Sequence, residues 1–178
     1  FLADINAMVF GMPRALFPAL GTTLFGGGAA TVGLLYAAPG IGALIGALTT
    51  GWVGAIRRQG LAVIIAVGAW GAAIALVGIT PWLPLAVVLL AVAGAADVVS
   101  AVFRGALVQL AVPDRLRGRL SAINMTVVAG GPRLGDARAG AVASLGGAQF
   151  AVASGGIMCV IGTLVLARAF PQLTRWTI

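Results

Sequence analysis

The sequence has no histidine, no lysine and no glutamate, and only one cysteine, Cys159. Without imidazole and with a single thiol, the usual transition-metal ligand sets are missing and no disulfide can close within the chain. Nucleophile–base pairs that run through histidine are excluded as well. No Walker sequence is present, so this chain does not hydrolyse ATP. No metal, no cofactor and no catalytic residue is expected. An intramembrane enzyme is set aside for a further reason, since no two aspartates share a helix face. Charge is scarce: 8% of the 178 residues are charged, against 61% that are hydrophobic. A soluble domain spends about a quarter of its residues on charge. With a mean hydropathy of +1.11, the chain cannot cover itself for water. The lipid bilayer is therefore its expected surrounding.

What charge there is comes from 11 bases and four acids, all of them Arg and Asp, for a net charge of +7. The arginines are scattered between apolar runs and form no clustered basic face, so no nucleic-acid partner is expected. The long charge-free runs are Ala15 to Ile56, Gln59 to Ala96 and Ala139 to Ala167. A membrane-crossing helix needs about 20 apolar residues, so the first two must turn inside. Gly26-Gly27-Gly28, after Thr22 and Thr23, breaks the first, and Thr80-Pro81-Trp82-Leu83-Pro84 breaks the second. The fold class is then all-α and polytopic, with six transmembrane helices near 4–24, 29–55, 61–79, 84–112, 120–145 and 149–170. Barrel strands would alternate with period two over about 10 residues, which these runs do not.

Orientation follows from arginine. Arg57, Arg58, Arg115, Arg117, Arg119, Arg168 and Arg175 all fall on one side of such a bundle, and the opposite turns carry none. The positive-inside rule places that side, and both termini, in the cytoplasm. Small residues four apart, Gly42 with Gly46, Gly51 with Ala55 and Ala151 with Gly155, are candidate helix-packing faces.

Charges within spans are the candidate functional residues, because each costs about 2.5–3.5 kcal/mol at a helix centre and needs a cavity or a partner. Arg14 lies between Pro13 and Pro18 in the first span. Asp97 lies near the middle of the fourth, with Arg104 further along nearly the same face. The fifth contains Gly130-Gly131-Pro132-Arg133-Leu134-Gly135-Asp136-Ala137-Arg138, where uninterrupted helix is not expected. If the helix persists, Arg133 and Asp136 can pair; if it breaks, Asp136 can cap its resumption. A carboxylate held between desolvation and a neighbouring arginine can load and release a proton. Asp97 and Asp136 are therefore proton-coupling candidates, with Arg14, Arg133 and Arg104 beside them on a transport pathway.

Two further stretches lie between spans. One is Gly51-Trp52-Val53-Gly54-Ala55-Ile56-Arg57-Arg58-Gln59-Gly60; the other is Pro113-Asp114-Arg115-Leu116-Arg117-Gly118-Arg119-Leu120. Both are read as short arginine–glycine turns at cytoplasmic helix junctions. Their arginines can serve topology or bond helix C-terminal carbonyls.

Together with Leu34-Leu35-Tyr36-Ala37-Ala38-Pro39-Gly40-Ile41-Gly42-Ala43-Leu44-Ile45-Gly46, these stretches resemble the C-terminal six-helix half of a major facilitator superfamily transporter. The closest likeness is to the enterobactin-exporter-like subgroup of siderophore and drug efflux proteins. The Gly51–Gly60 turn resembles the superfamily's Gly-rich loop, although the usual acidic position near Ala55 or Ile56 is not acidic. The Val112–Arg119 stretch resembles the subgroup's Pro-x-x-x-Arg-Gly-Arg loop. The resemblance implies a secondary transporter of two six-helix halves, with an N-terminal half missing here. It implies proton-driven efflux of a small organic molecule by alternating access from the cell membrane. The start at Phe1, with Asp4 and Asn6 directly before an apolar stretch, fits a piece whose upstream part is absent. The alternative is a membrane scaffold or permease-like subunit serving a separate partner.

Overall fold

The structure, a computed structural model, describes residues 2–11, 13–49, 51, 56, 58–111 and 114–171, with the backbone alone at 107–111 and 114–117. Every regular element among them is helical. In chain order they are α1 (Leu2–Phe10), a 3-10 turn (Arg14–Leu16), α2 (Phe17–Ala19), a π-helical turn (Leu20–Leu24), α3 (Ala29–Leu48), α4 (Gln59–Ile79), α5 (Leu83–Ala111) and α6 (Asp114–Ala169). In hydrocarbon a helix satisfies its own backbone, which is why apolar runs of this length take no other form. Four stretches are long and apolar enough to cross a membrane: Ala29–Leu48, Gln59–Ile79, Leu83–Ala106 and Gly118–Ala169.

The turns fall where the sequence places them. The Thr22 hydroxyl donates to the Pro18 carbonyl and the Thr23 hydroxyl to that of Ala19, closing the first span before Gly26, whose φ is +58°. α4 stops at Ile79 and α5 starts at Leu83, across the Thr80–Pro81 junction. Two boundaries differ. α3 ends at Leu48 rather than near 55, because the Thr49 hydroxyl turns back onto the carbonyls of Ile45 and Gly46. Trp52, Val53, Gly54, Ala55 and Arg57 lie outside the described residues, as do Pro113 and Arg175. α6 starts at Asp114 rather than near 120, so Arg117, Gly118 and Arg119 occupy its opening turns and form no loop. An acid at a helix start suits the positive end of the helix dipole. Arginines there cannot serve as C-terminal caps of that helix.

The main correction concerns the break expected around Gly130–Arg138. The helix runs through it, Pro132 included, and the non-helical residue is Gly147 at φ 83° and ψ 166°. Only glycine adopts that backbone readily. α6 doubles back there. The Phe10 carbonyl meets both Arg138 and the position of a Gly155 Cβ, which a straight helix would hold about 25 Å apart. Its two arms, 114–146 and 148–169, flank α1. Gly131 and Gly135 are contact positions: a Cβ on Gly135 would run into the Met8 carbonyl, and one on Gly131 would meet the Met8 side chain. The irregular backbone lies instead in the first span, between Phe10 and Phe25.

The core joins these pieces through Phe17, Leu20, Leu35, Trp70, Ile74, Leu90 and Phe103, all buried. α4 packs on the second arm of α6 and on α5, and α3 packs on α5. Gly42 and Gly46 act as a packing face. A Cβ on Gly42 would overlap the Ala91 carbonyl, and one on Gly46 would come within 3.0 Å of the Ala95 Cα. Leu48, Met125 and Leu145 are more than 70% exposed and present apolar surface outward. Gly42→Val should therefore lower thermal stability in detergent sharply. Gly33→Ala, on the same helix with open space around it, should be neutral or stabilising by about 0.5–1 kcal/mol. Equal melting points for the two variants would overturn this packing.

Candidate functional site

The break in the first span strands backbone groups that a continuous helix would satisfy. α1 makes its last bond from the Gly11 amide to the Ala7 carbonyl, and helical pairing resumes with the Leu16 amide on the Pro13 carbonyl. Three side chains from other elements take up groups left between, and a fourth, Tyr36, adds to a carbonyl that the Phe17 amide already bonds. Arg138 donates to the Phe10 carbonyl at 3.4 Å and Trp70 Nε1–H to the Gly11 carbonyl at 2.9 Å. The Tyr36 hydroxyl donates to the Arg14 carbonyl at 3.0 Å, and the Ala15 amide donates to Asp136 Oδ1 at 3.2 Å. Two of these carbonyls end α1, where the dipole is negative, so a guanidinium suits them. The Arg138 carbon also stands 5.4 Å over the Phe10 ring. Gly155 leaves the room for that arm. The other half of α1 is tied down through Asn6, which donates to the Cys159 carbonyl at 2.8 Å and the Thr163 hydroxyl at 3.2 Å.

Beside the break lies a charge cluster. Arg104 and Asp4 form an ion pair at 2.5 Å, the only one among the described residues, with Asp4 buried. Arg104 also donates to the Ser100 hydroxyl at 2.9 Å. Asp97 lies within electrostatic reach of Arg104, Asp4 and Arg14. A small cavity of about 40 Å³ is lined by Asp4, Trp70, Asp97 and Arg104. A larger one of about 280 Å³ is lined by Arg14, Tyr36, Trp70 and Asp97. Asp97, Arg14 and Tyr36 are exposed on the open side of the chain, whereas Asp4 and Ser100 are enclosed. The assembly offers a cation, a carboxylate and a phenol to a polar molecule, next to irregular backbone.

The structure thus brings together Asp97, Arg14 and Arg104 from the expected pathway. Asp136 joins at the break through the Ala15 amide and is not paired with Arg133, which is exposed. The Arg133–Asp136 pair is absent because the carboxylate is drawn to the stranded amide. Of the loop residues, Gly51, Arg58, Gly60, Gly118 and Arg119 do not line either cavity, and Asp114 and Arg117 are described by their backbone alone. Sequence reasoning missed four participants. Asp4 carried a signal, an acid inside an apolar segment. Trp70 carried one too, as a tryptophan at mid-helix rather than at an interface, with an N–H needing a partner. Tyr36 and Ser100 carried none beyond being polar.

A helical bundle with membrane-length segments and an internal charge cluster defines a polytopic membrane protein. Residues 5–176 match the family described as transmembrane secretion effector. The chain is 34% identical over 154 residues to enterobactin exporter EntS from Escherichia coli O139:H28, Escherichia coli O9:H4 and Shigella boydii serotype 18. Each match covers 86% of this chain and 37% of the relative, so the chain spans just over a third of those proteins' length. No solved structure matches it. The chain belongs to the transmembrane secretion effector family of the major facilitator superfamily, whose members are membrane transporters and not enzymes.

Removing one member of the buried pair leaves the other uncompensated. Asp4→Ala should cost about 3 kcal/mol of stability. Asp4→Ala combined with Arg104→Met should recover most of that loss. Thermal unfolding in detergent checks it; additive losses in the double variant would show that the two charges are not coupled.

Proposed function

We propose that this chain is the C-terminal half of a proton-coupled secondary transporter that exports a small organic molecule, siderophore or drug-like, by alternating access. In this reading the chain crosses the cell membrane six times: through residues 2–24, through α3, α4 and α5, and through the two arms of α6. Both termini are cytoplasmic, on the side of Arg57, Arg58, Arg115, Arg117, Arg119, Arg168 and Arg175. A missing N-terminal half faces the open side that carries Arg14, Tyr36 and Asp97.

The observation that carries the reading is the larger cavity, where an exposed aspartate and an exposed arginine meet beside a broken helix. Discontinuous helices at charged cavities are where secondary transporters hold substrate and coupling ion. Asp97 is the proton carrier, because it alone of the cluster's acids is both open to the cavity and near two arginines. Asp136 is the second candidate. Arg14 and Arg133 attract anionic cargo, and Arg104 pairs with Asp4. The family membership and the exporter relatives support the direction of transport.

Asp97→Asn in the complete transporter, reconstituted in vesicles, should abolish export driven by an imposed proton gradient. Exchange of cargo across the same membrane, which needs no net proton movement, should survive. Gradient-driven export at the wild-type rate would remove Asp97 from the coupling role.

A further inference from the structure

The two cavities beside the break share two wall residues, Trp70 and Asp97. On one side lie Asp4, Ala7, Met8 and Arg104; on the other, Arg14, Tyr36, Gly40 and Ala43. We propose that Trp70 is the partition between these compartments and that Asp97 is the charged group common to both. Trp70 thereby decides whether water from the larger cavity reaches the Asp4–Arg104 pair.

Three observations fix the indole in that place. Its ring is buried, and Nε1–H is committed to the Gly11 carbonyl at 2.9 Å. A Cβ on Gly11 would press against the same ring, 2.8 Å from Cδ1, so glycine there gives the indole its seat. The ring is also part of the core that joins α4 to the first span. The smaller cavity has room for a few waters at most. Isolated water beside Asp4, Arg104 and Asp97 is a relay site, whereas a continuous water column would be a leak. A rigid, bulky ring with one hydrogen bond separates the two cases.

The proposed partition rests on the shared cavity walls alone. Only its consequence, that loss of the ring lets protons pass without cargo, rests on the proton-coupled reading above. The test therefore begins with accessibility, which needs no transport. Cysteines are placed at Ala7 in the smaller cavity and at Ala43 in the larger, in the complete protein in membrane vesicles. Native Cys159 is fully buried and gives a silent background. A small water-soluble thiol reagent should label Ala43→Cys readily and Ala7→Cys at least about tenfold more slowly, since reaction needs an accessible thiolate. Adding Trp70→Ala should bring the Ala7→Cys rate up to that of Ala43→Cys. Trp70→Phe, which keeps a ring, should hold it down.

Equal labelling of the two cysteines with Trp70 present overturns the partition. So does an unchanged Ala7→Cys rate in Trp70→Ala while Ala43→Cys labels as before. A rise with Trp70→Phe equal to that with Trp70→Ala overturns the claim that ring bulk is the barrier. Proton leak is then measured without cargo. A leak in Trp70→Ala but not in Trp70→Phe supports the consequence. Opened labelling with no leak leaves the partition standing and counts against proton coupling instead.

Discussion

In hydrocarbon, a backbone carbonyl or amide with no partner is among the most costly things a chain can carry. The first span breaks between Phe10 and Leu16 and creates several such groups, and much of the bundle is arranged around meeting them. Arg138, Trp70 and Asp136 come from two different helices to do it, and Tyr36 from a third adds a second bond to the Arg14 carbonyl. Each contact also sets the position of the helix that supplies it. The break is thus a junction where α3, α4 and the first arm of α6 are held to one short segment. It also explains why α6 tolerates so many glycines: Gly131, Gly135 and Gly155 are the places where α1 and its partners come close.

The same junction organises the charges. With no glutamate, lysine or histidine, the chain works with aspartate and arginine alone. Arginine offers several donors in a fixed plane and stays charged, so it can serve a carboxylate and a hydroxyl together, as Arg104 does with Asp4 and Ser100. It can equally cap a helix and lie over an aromatic ring, as Arg138 does. The Asp4–Arg104 pair lines the smaller cavity and Arg14 the larger, with Asp97 and Trp70 in the walls of both. The same two residue types therefore occupy two settings, one with a buried carboxylate and one with an exposed carboxylate.

Local sequence made several features legible. The turns at Gly26 and at Pro81 fall where glycines or prolines cluster between long apolar runs. The candidacy of Asp97, Arg14 and Arg104 follows from the cost of charge in an apolar run. The same local logic misplaced the irregular backbone. Gly130–Arg138 has the composition of a break, yet Pro132 removes only one amide donor and its neighbouring glycines are used for contact. The break lies instead between Gly11 and Leu16, beside Pro13. Arg133 and Asp136 were in reach of each other by spacing, and the stranded amide of Ala15, far away in sequence, took the carboxylate instead.

The sequence by itself determined the solvent. Too few charges and runs of membrane length leave a helical bundle in lipid, with its charged residues where function is to be sought. Only the tertiary structure decided the partners. Asp4 meets Arg104 and Trp70 meets Gly11 because glycines and alanines let particular helices approach closely. Such contacts depend on matching surfaces between distant segments. Hydropathy, which any apolar residue satisfies equally well, carries no information about that matching.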